Sequence, residues 1–357
     1  MKVASFTDFI NTPSSRFRIR QYFPYLEKAE INYFDYCRKY SLETAGSKTW
    51  VKRIRSSPLL ITKAIFHESL NIANRFNGCI SANKCDVIWL SRELILGYPS
   101  FEFMLKKPLV YDVDDAIFLA GIASKWKFKK VTEMAAAVIA GNEYLAENVS
   151  LHCNNVHVVP TAVDTARWNP LKNKSLMDNR KNDIFKIGWC GTSSSFKYFL
   201  PYEREIKRFL IEHASAQFYI MADRFPHELD ILKSNVQFFL WNENTEVDFV
   251  RSLDVGLMPI KNDLWCQGKC AYKMLLYAAC GVPVIVSPVG VNKIILNSTR
   301  LGFGPEKEGE WYDALCMLFN SPSTQKEFSC NAIKLVSEQY ALDVCAPKII
   351  NILRSCA

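Results

Sequence analysis

The stretch DVGLMPIKNDLWCQGKCAYKMLLYAACGVPVIVSPVG, Asp254 to Gly290, decides the fold class. Its opening, Asp254-Val255-Gly256-Leu257-Met258-Pro259, is a short apolar run closed by proline, the pattern of a strand buried on both faces. Asn262 to Lys269 is polar and reads as a loop. From Ala271 to Ala279 apolar residues recur at helical spacing, and Gly281 ends the helix. Val282-Pro283-Val284-Ile285-Val286 is then a second buried strand. Strand, helix and strand in succession make a parallel βαβ unit.

The same alternation extends in both directions. Upstream, strands are expected at Val3–Phe6, Val87–Leu90, Leu109–Val113, Ala137–Ala140 and Val156–Val159, with helices such as Arg20–Lys28 and Ile61–Phe76 between them. A second series has strands at Lys186–Trp189, Gln217–Met221, Val236–Leu240, Val255–Pro259 and Val282–Val286. Its helices fall around Tyr202–His213, Thr245–Ser252, Ala271–Ala279, Gly309–Asn320 and Ser323–Tyr340. A polar, Asn/Lys-rich segment, 169–183, separates the two series and has the composition of a linker. With 357 residues the chain has room for two domains. The expected division is 1–168, the linker 169–183, 184–335, and a C-terminal helix in 336–357 that crosses back to the first domain. In such sheets ligands bind beyond the carboxyl ends of the strands, so two domains facing a cleft would place function on the loops that follow strands.

An apolar share of 49% and a charged share of 22% exclude a disordered chain. The longest apolar run, Met274 to Val286, is interrupted by Gly281 and Pro283 and falls short of the roughly 20 residues that span a bilayer. The N-terminal MKVASFTDFINTPSSRFRIR lacks the apolar core of an export signal. The expectation is a cytoplasmic protein that can sit peripherally at the inner face of the membrane. Twelve cysteines are scattered from Cys37 to Cys356 with no CxxC pair, and the five histidines sit beside no paired cysteines. That pattern fits neither a disulfide scaffold nor a zinc site, so most of the cysteines read as small buried apolar residues.

The net charge of +8 is unevenly placed. Residues 1–130 hold 21 Lys+Arg against 12 Asp+Glu, a balance of +9, and the remainder of the chain has a balance of −1. Three clusters carry much of it: Arg16, Arg18 and Arg20; Lys48, Lys52, Arg53 and Arg55; and Lys125, Lys127, Lys129 and Lys130. A one-sided basic face attracts phosphorylated ligands, anionic lipid or nucleic acid; a solvated helix face is the plainer account of any single cluster. The basic clusters have few interleaved aromatics, among them Trp50, Trp126 and Phe128, so no nucleic-acid partner is expected. Lys48 to Phe66 mixes apolar and basic residues in a way that suits an anionic membrane surface. Pro58 limits it to two short helices. A core-facing helix with a solvated basic side is the competing reading.

Two post-strand loops could hold an anion. Gly188-Trp189-Cys190-Gly191-Thr192-Ser193-Ser194-Ser195, followed by Lys197, offers glycine, small hydroxyls and a cation where a strand enters a helix. Neither GxGxxG nor GxxxxGK[ST] is present. A capped helix start explains the Ser/Thr run equally well. In the second loop Gly268 precedes a helix start with open N–H groups, and Lys269 and Lys273 lie four apart. Like charges at that spacing on one helix face repel, so a bound diphosphate would account for them.

The run from Asp254 to Val291 resembles the C-terminal signature of retaining glycosyltransferases of family 4, enzymes of the GT-B fold. Other strings agree in order: Pro13-Ser14-Ser15-Arg16-Phe17-Arg18 with Gln21-Tyr22-Phe23-Pro24, Val110-Tyr111-Asp112-Val113-Asp114-Asp115-Ala116, Val138-Ile139-Ala140-Gly141-Asn142, and Val159-Pro160-Thr161-Ala162-Val163-Asp164. The resemblance implies a UDP- or GDP-linked sugar donor held mainly by the C-terminal domain, without a metal or other cofactor. Its diphosphate would meet Gly191, Thr192, Ser193 and Lys197. It would also meet the helix start at Gly268, Lys269, Ala271 and Tyr272, with Lys273 and Tyr277 on that helix and the Gly290-Val291 turn beside it. The acceptor, a saccharide or lipid-linked saccharide, would meet Ser15, Arg16, Arg18, Asp112, Asp114 and Asp115. Three departures stand out. The family's two glutamates eight positions apart are Gly268 and Leu276 here, an arginine common after the first glycine is Thr192, and a further glutamate is Ile294. Leu276 cannot hydrogen-bond a ribose.

The Asp112-Val113-Asp114-Asp115 run has three readings. Its carboxylates could hold a divalent cation with a diphosphate. They could raise one another's pKa and make Asp114 a proton acceptor at the acceptor hydroxyl. Or Asp115 could simply cap the next helix. The expected activity is a retaining glycosyltransferase in which Asp114, Lys197 and Lys273 serve the chemistry. A nucleotide- or glycan-binding GT-B protein that has lost catalysis is the alternative.

Overall fold

A computed structural model of the chain describes residues 1–39, 58–95, 100–170, 184–230 and 235–357, which form two compact units. The first takes in 1–162, 267–270 and 342–357; the second, 163–266 and 271–341. Lys48–Arg55 and residues 171–183 of the expected linker lie outside the described residues.

The first unit is a six-stranded parallel sheet: β1 (Lys2–Phe6), β2 (Asn32–Asp35), β3 (Val87–Ser91), β4 (Leu109–Val113), β5 (Ala137–Ala140) and β6 (Val156–Val158), in the order β2-β1-β3-β4-β5-β6. Because side chains alternate across a strand, each strand feeds two cores. Ile88, Leu90, Leu109, Tyr111, Val138 and Ala140 pack on one face under the helices Pro58–Ala82, Ile122–Met134 and Glu143–Ser150. Val87, Trp89, Val110, Ala137 and Ile139 pack on the other, under Tyr22, Phe23 and Leu26 and the C-terminal helix Leu342–Cys356. Strands buried on both faces carry apolar residues at every position, and the all-buried β3, β4 and β5 do so apart from polar Ser91 and Asp112 near their carboxyl ends.

The second unit has β7 (Phe185–Cys190), β8 (Ala216–Ala222), β9 (Val236–Leu240), β10 (Val255–Met258), β11 (Val284–Val286) and β12 (Gly302–Phe303), in the order β12-β11-β10-β7-β8-β9, again all parallel. Phe185, Ile187, Trp189, Val255, Leu257 and Ile285 line one core, and Val284 and Val286 the other, with the helix Tyr272–Ala279. Strand order reverses between β1 and β3 in the first unit and between β7 and β10 in the second. Those are the points where such sheets open to ligands.

Differences from the sequence expectations have local causes. Two edge strands, β2 and β12, were not anticipated: Asn32–Asp35 alternates exposed and half-buried positions, and β12 has two residues. The helix expected over Arg20–Lys28 is α-helical only from Phe23 and follows tighter and wider turns over Ser15–Tyr22. Pro24 has no N–H to give the Arg20 carbonyl, so a regular ladder cannot run through. The helix expected at Ile61–Phe76 runs from Pro58 to Ala82, with the proline at its first turn where no N–H is needed. All twelve cysteines are free thiols, and Cys79, Cys85, Cys266, Cys270, Cys280 and Cys345 are buried.

Candidate functional site

In the second unit the reversal point between β7 and β10 is braced by Tyr277. Its Oη accepts the Cys190 N–H at 3.0 Å and donates to the Leu257 carbonyl at 3.4 Å. The ring lies over Gly256, where an added Cβ would come within 2.5 Å of it. Tyr277 is fully buried, and burial raises its pKa. It therefore holds the two strands together rather than reaching a ligand.

Beyond β7, Gly191 gives its N–H to the Met221 carbonyl at 3.0 Å. The Ser193 amide and hydroxyl both donate to Asp223, at 2.6 and 2.9 Å, and the Ser195 amide donates to the Thr192 carbonyl at 3.0 Å. The loop amides expected to cradle a phosphate are thus largely used within the protein. Thr192, whose hydroxyl lies 3.0 Å from that of Ser194, and Lys197 are exposed, with Lys197 over the Tyr198 ring at 5.1 Å. Lys273 crosses the loop. A side chain at Gly191 would run into Lys273 Cε and the Trp189 ring, and the Lys273 ammonium sits 5.6 Å from the Trp189 ring centre. Glycine here makes room for a lysine stem.

Two helices of this unit start without a side-chain cap at the carboxyl ends of the strands. Ala271 precedes Tyr272–Ala279 in the left-handed region, at φ 54 and ψ 22; Gly290 precedes Val291–Ser298 at φ 56 and ψ −130. Uncapped starts leave N–H groups and the positive dipole end for an anion. Ala271 also separates the two lysines. Lys269 and Lys273 share no helix face, because the helix begins at Tyr272 and the left-handed residue turns the chain between them.

Lys269 instead belongs to the first unit, along with Gly268 and Cys270. Asn142 gives its side-chain amide to the carbonyls of Gly268 (3.1 Å) and Lys269 (3.3 Å) while its Oδ1 caps the helix Glu143–Ser150 through the Leu145 N–H. Gly268 sits against Ala116, whose Cβ and N would both lie 2.8 Å from an added Cβ. The position therefore has no room for the glutamate that the resemblance would put there. Cys270 Sγ donates to the Asp114 carbonyl at 3.3 Å, and burial pushes its thiol up to about 12.

The three aspartates after β4 are divided between two arginines. Asp112 and Arg18 form a fully buried pair, Nε to Oδ1 at 2.8 Å and a second bond at 3.3 Å, and Arg18 also donates to the Val159 carbonyl at 2.9 Å. Arg92, itself left-handed at φ 59, binds Asp114 at 2.9 Å and Asp115 at 2.6 Å; Lys269 lies 4.0 Å from Asp115. Burial pushes Asp112 up to about 6 against the pull of Arg18. Burial also raises Asp115, helped by the neighbouring Asp114 charge. For Asp114 burial acts upward too, but the Arg92 guanidinium and its hydrogen bond win and hold it below the usual carboxylate range. The expected raised pKa at Asp114 is thereby reversed. Nor does Asp115 cap a helix: its side chain goes to Arg92, and the turn Ile117–Leu119 has no side-chain cap.

Of the remaining acceptor candidates, Ser15 is buried with its hydroxyl 2.8 Å from that of Thr12, and Arg16 is half-buried over Phe17. Arg92 was missed by sequence reasoning. Its signal was its place directly after β3, because parallel neighbours β3 and β4 deliver the residues after both to one edge. That edge, where β1 meets β3, has a small pocket lined by Asp8, Ser14, Arg38, Arg75, Ser91 and Arg92. Arg75 is buried there, donates to the Thr7 and Tyr36 carbonyls, and is drawn down to about 10 by burial.

No family model matches the chain, and no curated protein matches it in sequence. Solved structures do match in shape. Anabaena HepE in complex with UDP and glucose superposes with a TM-score of 0.71 at 13% identity, over 99% of this chain and all of that one. A glycosyltransferase from Rickettsia africae gives 0.70 at 14% identity, over 99% and 98%. Sucrose-phosphate synthase from Thermosynechococcus elongatus gives 0.68 at 12%, over 99% and 98%. At these identities the likeness speaks for architecture, and it agrees with the two parallel sheets: the chain has the GT-B fold, with two Rossmann-like units.

Proposed function

We propose that the protein is a retaining glycosyltransferase that moves a sugar from a nucleoside diphosphate to a hydroxyl of a saccharide or lipid-linked saccharide. The observation that carries this reading is Lys273 lying across Gly191, where an added side chain would meet the lysine stem and the Trp189 ring, at the strand-order reversal of the second unit and next to an uncapped helix start. HepE, similar in fold, was solved with UDP and with UDP-glucose, which favours a uridine donor.

In the transfer, the acceptor oxygen bonds to the anomeric carbon as the bond from that carbon to the diphosphate oxygen breaks. Lys273, Lys197 and the amides of Tyr272 and Val291 would hold the charge growing on the departing diphosphate. In this reading the acceptor proton leaves with the departing diphosphate, while Asp114 stays paired with Arg92. Asp114 and Asp115 then act as orienting acceptors of hydrogen bonds from sugar hydroxyls.

Calorimetric titration with UDP, GDP and their sugar conjugates, without metal and then with magnesium, tests the donor. The expected outcome is metal-free binding of a uridine nucleotide. Lys273→Ala should weaken it about tenfold to a hundredfold, the worth of a charge-assisted hydrogen bond. Unchanged affinity in that variant would remove Lys273 from the site.

A second reading rests on Leu276, which is buried in the apolar core of the second unit at the position where the resemblance would put a ribose-binding glutamate. A binder that has lost catalysis would hold nucleotide yet release no diphosphate with any acceptor.

A further inference from the structure

The outer side of the first unit's helical layer carries a surface that the transferase reading does not use. Cys79 and Ala82 of the helix Pro58–Ala82 share one core with Phe128 and Val131 of the helix Ile122–Met134. The two helices therefore cover the same face of the sheet and turn their opposite sides the same way, outward. The turn Glu102–Met104 links them. The Asn83 side chain donates to the Met104 carbonyl at 2.9 Å and accepts the Lys106 N–H at 2.8 Å, while buried Lys127 reaches Glu102 at 3.0 Å. Helix, turn and helix form one continuous surface within one unit.

That surface is apolar in the wrong place for a solvated layer. Ile65, Ile72, Phe76 and Ile80, all exposed, repeat along one stripe of the first helix. Phe103 on the turn is 74% exposed, and Ile122 and Trp126, one turn apart on the second helix, are 92% and 52% exposed. Single exposed apolar residues are ordinary; several of them on adjoining elements mark a contact surface.

The charge on these two helices and the turn between them is mostly positive. Lys84, Lys106, Lys107 and Lys125 are exposed there, and Lys129 and Lys130 share the single Glu133 at 3.8 and 3.2 Å. The carboxylates on these elements are otherwise engaged: Glu68 with Arg38, Asp86 with the Lys2 amide, and Glu93 and Glu102 buried beside Lys127. Of the basic cluster Lys125–Lys130, only Lys127 turns inward, so the burial of its charge leaves the other three facing out.

We propose that this surface docks on an anionic lipid bilayer. Apolar side chains and an exposed tryptophan enter the headgroup boundary, and lysines reach lipid phosphates from flexible apolar stems. No helix among the described residues is long and apolar enough to cross a membrane, so the contact is peripheral. The inference does not depend on the donor site, because every residue in it lies in the first unit.

Co-sedimentation with vesicles of phosphatidylcholine, with and without phosphatidylglycerol, tests it. The full chain should bind the anionic vesicles, release them as salt rises, and ignore the zwitterionic ones. Lys106→Glu with Lys107→Glu should weaken that binding at least about tenfold, from roughly 1 kcal/mol per cation near the surface. Ile122→Ala with Trp126→Ala should weaken it separately. Far-ultraviolet circular dichroism and uridine nucleotide affinity, both unchanged in the variants, confirm an intact fold and donor site. Failure to bind anionic vesicles, equal binding to both kinds, or wild-type binding by both variants overturns the proposal. So does self-association without vesicles that the variants abolish, which would assign the surface to a second copy of the chain. Loss of nucleotide binding with vesicle binding kept would instead strike the transferase reading alone.

Discussion

Arg18 and Asp112 show how much a single buried pair decides. Neither is solvated, so each depends on the other, and removing one leaves a charge in the core. Asp112→Ala should lower stability by about 3–5 kcal/mol, seen as a shift of the urea midpoint. The pair also has a pH signature. Burial places the folded-state pKa of Asp112 at about 6, above its ordinary 3.8. Between those values the folded protein holds a proton that the unfolded chain has released, so this group makes stability fall as pH rises from about 4 to about 6, by at most about 1.4 kcal/mol per unit. Asp112→Asn should remove that slope from the stability profile; an identical profile would mean the carboxyl is ionised throughout. The sequence showed three adjacent aspartates and suggested mutual repulsion. Their actual partners, Arg18 and Arg92, are distant along the chain and meet them only because β4 runs beside β3 and below the segment that carries Arg18.

At the scale of elements, the helix Tyr272–Ala279 matters most through how it begins. A left-handed alanine costs on the order of 1 kcal/mol that a glycine would not. Ala271→Gly should therefore stabilise the protein by up to about 1 kcal/mol, and a thermal melt that moves downward instead would show that the methyl is needed in its buried site. The opposite swap at the brace is predicted to be costly. Gly256→Ala drives a methyl into the Tyr277 ring and should destabilise by about 1–3 kcal/mol. The βαβ unit was legible because its strands and helix are marked by apolar runs, a proline and a glycine. The bend at Ala271 was not, since alanine is the residue that most favours a continuing helix. Lys269 and Lys273 therefore looked like neighbours on one face, while the folded chain sends them to different partners.

For the whole molecule, two units with separate cores imply that a ligand stabilises the unit that holds it. If the donor reading is correct, uridine nucleotide at a hundred times its dissociation constant should add about 2.7 kcal/mol to the second unit. Calorimetric melting should show that gain in the wild type, and Lys273→Ala should lose most of it at the same concentration. Composition and periodicity were enough to read two α/β series, because strands buried on both faces are apolar at nearly every position and helices are apolar at one. They also placed the basic excess in the first third of the chain. What pattern alone could not supply was partnership. Ser193 looked like a phosphate ligand until Asp223 occupied it, Tyr277 looked like a donor contact until it proved to be a strut, and Lys127 looked like its neighbours until it turned inward. Periodicity reports which face of its own element a residue occupies; what waits on that face belongs to a distant stretch of chain, and only the tertiary structure brings the two together.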